Sequence, residues 1–219
     1  MKRILSFFLV PLTRWYLKKR RSYFKHGVKI RIEPGVFHPG LFFSTNYLWN
    51  YFKSRQIQSK TFLELGCGSG YISILAANKG AKVTATDISS TALDNARYNA
   101  EKNEVRIAFY HSNLFENIKK QKFDFVAINP PYYKGQIKKQ AEHAWYAGAS
   151  YEYFDNLFAS LNDYIGDTSE VIMVLSDDCD IGLIQSKAHD NGFMLEMIDQ
   201  KKFWLEVNYL FRIRSVAVG

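Results

Sequence analysis

Cysteine is nearly absent from this chain: Cys67 and Cys179 are the only two, far apart, with no second cysteine or histidine at metal-ligand spacing around either. A disulfide framework and a structural zinc are therefore excluded, and a reduced, cytoplasmic protein with no metal is expected. Long apolar runs are also missing. The longest candidate, Ile4 to Leu12, falls far below the roughly 20 residues of a membrane span. Lys2 and Arg3 ahead of it imitate the start of a secretory leader, but Thr13-Arg14-Trp15 is not a small-residue cleavage site. The expectation is a basic amphipathic helix that packs on the domain or touches a polyanion, with a membrane-surface segment or a processed leader as the alternative.

Acidic residues are absent from positions 1 to 31, which hold Lys2, Arg3, Arg14, Lys18, Lys19, Arg20, Arg21, Lys25, Lys29 and Arg31. The net charge of +8 thus belongs to this arm, since residues 32 to 219 carry 19 bases against 21 acids. Such asymmetry speaks of a partner of the arm and not of the fold. With 47% hydrophobic residues, the remainder can bury one substantial core. The expected organisation is an arm over 1–32 and a single domain over 33–219.

The arm leads into a short alternating strand at Val28 to Ile32, then turn chemistry at Glu33-Pro34-Gly35 and His38-Pro39-Gly40. Ser44 or Thr45 caps an expected helix running to about Ser54. From Thr61 onward, strands alternate with helices. Strands are expected at Thr61 to Leu65, Lys82 to Asp87, Arg106 to His111, Phe123 to Asn129 and Glu170 to Leu175, with helices after Gly70, Ser89, Ser150 and Asp180. This is the pattern of an α/β protein with a mostly parallel sheet covered on both faces. The last two strands, Leu195 to Lys201 and Glu206 to Ile213, have too little chain between them for a crossover and should pair antiparallel at an edge.

Four segments carry the chemistry. In Glu64-Leu65-Gly66-Cys67-Gly68-Ser69-Gly70 a buried strand runs into a loop with glycine at every second position and then a helix. Glycine lets a ligand approach the backbone, and the helix start offers unpaired N–H groups. The spacing departs from the dinucleotide fingerprint that ends on a pyrophosphate, so a ligand without phosphate is indicated, with Glu64 placed to suit a cationic end. Asp87 closes the next strand roughly 20 residues past the glycines, where a carboxylate accepts the hydroxyls of a ribose; capping the following helix is its alternative role. After the third strand, Asn113 can accept from an adenine amino group while Leu114 packs on the ring. Asn129-Pro130-Pro131-Tyr132 is the most specific segment: an apolar strand stops in a polar residue, two prolines and an aromatic. The Asn129 side-chain oxygen and the Pro130 carbonyl can accept two N–H protons of a planar amide or amine, with Tyr132 on its face.

Together these segments resemble the class I methyltransferases, specifically the amino-methylating branch that shares an Asn-Pro-Pro-aromatic loop. Within that branch the chain is similar to the HemK type, protein-glutamine methyltransferases that modify translation release factors. Glu33-Pro34-Gly35-Val36-Phe37 and Ala144-Trp145-Tyr146-Ala147-Gly148 are similar to segments of its short members. The resemblance implies a Rossmann-like sheet and S-adenosylmethionine as cofactor, bound by Glu64, Gly66, Cys67, Gly68, Gly70, Asp87, Ile88, Asn113 and Leu114. Asn129 to Tyr132 would then align the acceptor nitrogen with the sulfonium methyl. The chain departs from the pattern in three places. A basic arm stands where the bacterial enzymes have a helical recognition domain, Asn113 stands where many have an acid, and Phe42, Phe43 and Ser44 stand where a polar and acidic pair is expected.

Those departures bear on the acceptor. A glutamine amide and an adenine amino group present equivalent planar NH2 donors, so the catalytic loop does not separate a protein substrate, such as a translation factor or ribosome-associated protein, from RNA or DNA. The arm's charges interleaved with Trp15, Tyr16, Tyr23 and Phe24, together with Lys134, Lys138 and Lys139, favour nucleic acid. The glutamine reading is placed first, adenine second, and an inactive cofactor-binding scaffold third. His38, His111 and His143 are isolated from acids and cysteines and are given no role. Phe154, Phe158 and Leu161 recur at helical spacing as core. Asp177 and Asp178 are read as a loop or cap, and no reactivity is assigned to Cys67.

Overall fold

A computed structural model describes residues 17–135, 146–204 and 206–216. The helix expected over the first twelve residues, and Lys138, Lys139, His143, Ala144 and Trp145, lie outside the described residues.

A hairpin of β1 (Arg21–Lys25) and β2 (Val28–Ile32) precedes helix α1 (Phe43–Lys53). Then come β3 (Thr61–Leu65), α2 (Tyr71–Asn78), β4 (Lys82–Asp87), α3 (Ser90–Lys102), β5 (Ile107–His111) and β6 (Phe123–Ile128). The chain finishes with α4 (Glu152–Leu161), β7 (Ile165–Ser176), α5 (Ile181–Asp190), β8 (Phe193–Phe203) and β9 (Glu206–Ser215). The main sheet has seven strands in the order β5-β4-β3-β6-β7-β9-β8, the first five parallel and β9 antiparallel to both of its neighbours. This is the expected α/β architecture. The final pair is antiparallel as expected, but β9 enters between β7 and β8, leaving β8 as the edge.

Strand alternation divides the core into two layers. Leu63, Leu65, Val126, Ile128 and Met173 point to the face covered by α4 and α5, where Phe154, Leu157, Phe158 and Leu161 are buried. Phe62, Phe125, Ala127, Ile172 and Val174 point to the other face, under α1 and α2. Strand β7 begins earlier than its apolar run at Val171, because Ile165 pairs with Phe123 across an irregular register and carries the polar residues 166–169 along. Helix α1 differs too. Its N-cap is Phe42, with no side-chain cap, and Ser44 and Thr45 are buried inside the first turn.

The hairpin within the basic arm has a second face. Val28, Ile30 and Ile32 are fully buried in the same layer as Tyr71 and Ile72 of α2. Two buried asparagines of α3 tie it down: Asn95 Nδ2 and Asn99 Nδ2 both donate to the Arg31 carbonyl, at 2.9 and 2.7 Å. In return Asn99 Oδ1 accepts the Arg31 N–H at 2.8 Å and Asn95 Oδ1 the Glu33 N–H at 3.0 Å. Asn99 Nδ2 also reaches the Ser69 carbonyl in the glycine loop, at 2.9 Å. Replacing Asn99 with alanine strands buried backbone groups on the hairpin and the loop together. We expect a loss of about 3 kcal/mol in urea unfolding, with faster hydrogen exchange across Val28–Ile32; an unchanged unfolding midpoint would show that these bonds contribute nothing.

Candidate active site

Strand β3 pairs with β4 on one side and β6 on the other, so the chain reverses its direction of sheet growth there. Such a switch point leaves a crevice beyond the carboxyl ends of the strands. The crevice here is a cleft of about 600 Å³. Each of the four segments identified in the sequence reaches it from a different strand end: Glu64 near the end of β3 with Gly66, Cys67 and Gly68 beyond it, Asp87 closing β4 with Ile88 beyond it, Asn113 and Leu114 after β5, and Asn129 to Tyr132 after β6.

Gly66 has φ of 71°, and a Cβ built on it would meet nothing within 4 Å, so the glycine keeps both a left-handed turn and open space for a ligand. Gly70 is used differently. It does not line the cleft, and a Cβ there would lie 3.0 Å from Cβ of Ala96 in α3. This position, expected to bind cofactor, serves the close packing of α2 on α3.

Asp87 joins two loops. Its Oδ2 accepts the Gly68 N–H and its Oδ1 the Ser89 N–H, both at 2.8 Å. The helix cap considered for it falls to Ser89, whose hydroxyl accepts the Ala92 N–H at 3.3 Å. The Cys67 thiol is buried and pushed well above its ordinary pKa by that burial, so it stays protonated. Asn113 donates from Nδ2 to Glu116 Oε1 at 2.9 Å. Leu114, at φ of 51°, is buried in the cleft wall.

At the β6 end, Asn129 is held from both sides. Its Oδ1 accepts the Tyr132 hydroxyl at 2.8 Å, and its Nδ2 donates to Thr45 Oγ1 at 3.2 Å. Tyr132 had been expected to lie on the face of a target group; here its hydroxyl is engaged with Asn129. Burial holds that phenol well above its ordinary pKa, so it remains a donor. The Tyr132 carbonyl in turn accepts the Tyr151 hydroxyl at 3.3 Å. Phe37, from the family-like segment ahead of α1, lines the cleft, as do Thr45, Tyr153 and Glu206, which were not identified as site residues from sequence. Thr45 had been read as a helix cap, and neither spacing nor composition marks Tyr153 or Glu206.

Glu64 illustrates how strand alternation sets chemistry. It points to the α2 face, and its Oε2 accepts the Ser73 N–H at 2.8 Å and the Ser73 hydroxyl. Burial raises its pKa to about 8, with Asp87 adding to the effect and the Ser73 bonds opposing it. Between pH 4.5 and 8 the folded protein therefore keeps a proton that the unfolded chain has lost, and stability falls across that window. Glu64→Gln removes this dependence. The melting temperature of the variant should gain on that of the wild type as pH rises from 5 to 8; a constant difference would mean that Glu64 titrates in its ordinary range.

The methyltransferase small domain matches residues 27–151 of this chain. A putative protein N5-glutamine methyltransferase of Methanocaldococcus jannaschii is 38% identical over 110 residues, 48% of this chain and 52% of that protein. A bifunctional methyltransferase of Rickettsia bellii is 52% identical over 80 residues, 35% of this chain and 14% of that protein. The chain thus spans about half or less of the length of these relatives. Among solved structures, the E. cuniculi Mtq2–Trm112 complex, responsible for methylation of the eRF1 translation termination factor, shares the fold. Its TM-score is 0.65 at 18% identity, covering 83% of this chain and 99% of that one. The chain belongs to the methyltransferase small domain family.

Proposed function

We propose that this member of the methyltransferase small domain family N-methylates a planar amide, the side chain of a protein glutamine, in the cytoplasm. The observation that carries the reading is the placement of Asn129 to Tyr132 in one cleft with Gly66, Gly68 and Asp87. The cleft suits the cofactor: its volume lies in the range of small-molecule sites, Gly66 keeps space open at the loop, and the acceptor Asp87 stands at the end of β4.

S-adenosylmethionine, when bound, supplies an electrophilic methyl group and carries the difficult part of the chemistry. The protein binds and aligns. Gly66, Cys67 and Gly68 would present backbone to the cofactor, with Glu64 behind them, and Asp87 would receive ribose hydroxyls. Ile88 and Leu114 would flank the adenine, with the Asn113 oxygen as acceptor for its amino group. At the acceptor side, Asn129 Oδ1 and the Pro130 carbonyl take the two N–H protons of the target, while Pro131 holds the turn rigid. Gripping both protons orients the nitrogen lone pair, and orientation of this kind is worth several orders of magnitude in rate.

The name borne by the archaeal relative supports glutamine, and the eRF1 substrate of the Mtq2–Trm112 complex supports a protein acceptor. A translation factor or ribosome-associated protein is the partner proposed. A second reading, an adenine amino group of RNA or DNA, is favoured by the hairpin, where Phe24 is 69% exposed next to Lys25 and opposite Lys29, with Lys18, Lys19 and Arg20 just ahead of β1. Transfer of radiolabelled methyl from S-adenosylmethionine into a cell extract, with and without ribonuclease, separates the two. Label in a ribonuclease-resistant protein band is expected; label lost with RNA would move adenine to first place.

Asn129→Ala should lower transfer by about 100-fold or more while leaving affinity for S-adenosylhomocysteine within twofold in calorimetry. If affinity collapsed in parallel, Asn129 would be part of the scaffold and the alignment mechanism would fail.

A further inference from the structure

We infer that Thr45, in the first turn of α1, is a positioning residue that, together with Tyr132, holds the end of the Asn129 carboxamide that faces the acceptor. The inference rests on the alignment role proposed for Asn129, and it adds a group 84 positions away in the chain.

An asparagine side chain has an acceptor end and a donor end of almost the same shape. Only the oxygen can take a proton from a target NH2; a flipped amide would present N–H to N–H and repel it. The loop must therefore hold one orientation. Two hydroxyls touch the carboxamide, Tyr132 at the oxygen end and Thr45 at the nitrogen end. Each hydroxyl can donate or accept, so two contacts alone would tolerate a flip in which both reverse. The phenol breaks the tie. Being more acidic than an alcohol, it is the better donor, and burial first, with Cys179, Glu206 and Tyr133 adding to it, drives its own pKa upward and keeps the proton on it. Tyr132 therefore donates to Oδ1, and Thr45 is left as the acceptor for Nδ2.

Thr45 is placed for this by the fold. It is 6% exposed and lines the cleft. Helix α1 carries no side-chain cap, so the Thr45 hydroxyl is not spent on the helix terminus. The helix is itself anchored on the sheet, with Leu48 and Phe52 fully buried in the layer that holds Phe62 and Phe125. The orientation of the catalytic amide is thus referred to a rigid element and not to its own loop. Hydroxyl and backbone have separate functions here: the isosteric Thr45→Val keeps the packing and removes the acceptor, whereas Thr45→Ser keeps the acceptor.

The test compares wild type, T45V and T45S by three readouts. Transfer of labelled methyl from S-adenosylmethionine into cell extract should fall roughly 10- to 100-fold in T45V and return to within about threefold in T45S. Affinity for S-adenosylhomocysteine should stay within twofold in both. The side-chain amide resonances of Asn129, assigned with 15N-labelled protein, should shift and exchange faster with solvent in T45V but not in T45S. This last readout needs no acceptor, so it decides the role of Thr45 even if wild type labels nothing in the extract, an outcome that would sink the proposed function alone. Wild-type amide resonances in T45V would overturn the inference, as would a parallel loss of cofactor affinity and melting temperature.

Discussion

The pairing of β3 with β4 on one side and β6 on the other is the constraint on which the rest depends. In parallel strands the carboxyl ends share one rim, and reversal of sheet growth at β3 holds two neighbouring loops apart. The glycine loop, Asp87 and the Asn-Pro-Pro-Tyr turn reach the same cleft for that reason, although they are spread over 69 positions from Glu64 to Tyr132. The burial of Leu63, Val126 and Met173 on one face and Phe62, Phe125 and Ile172 on the other holds the pairing in register. A slip of one residue would turn Glu64 away from Ser73 and exchange the two apolar faces.

The cleft is built from loops whose polar groups are satisfied by side chains of neighbouring elements. Asp87 supplies acceptors to the N–H groups of Gly68 and Ser89. Asn99 spans α3, the hairpin and the glycine loop at once. Thr45 and Tyr132 do the same for Asn129. Backbone left unpaired in such a setting would cost about 1–3 kcal/mol per group, so these bonds both stabilise the loops and limit their movement. The hairpin therefore has two roles in one segment: its inner residues Val28, Ile30 and Ile32 belong to the core, while Phe24 and the bases around it remain at the surface. The outer surface is where charge can meet a partner without disturbing the fold.

Periodicity alone determined most of the architecture. Apolar runs of strand length alternating with helical stretches placed β3 and β4 to the residue, and the short link at Phe203 and Trp204 implied an antiparallel final pair. The motif loops were legible for a related reason: glycine at alternate positions and paired prolines are local backbone requirements, written in adjacent residues. Tertiary structure decided the remainder. It assigned Gly70 to helix packing, gave the α3 cap to Ser89, placed β9 inside β8, and brought Thr45 to Asn129 across 84 positions and Asn99 to Arg31 across 68. A side-chain hydrogen bond between distant segments leaves no period or spacing in the sequence, because its partners are chosen by the three-dimensional path of the chain between them.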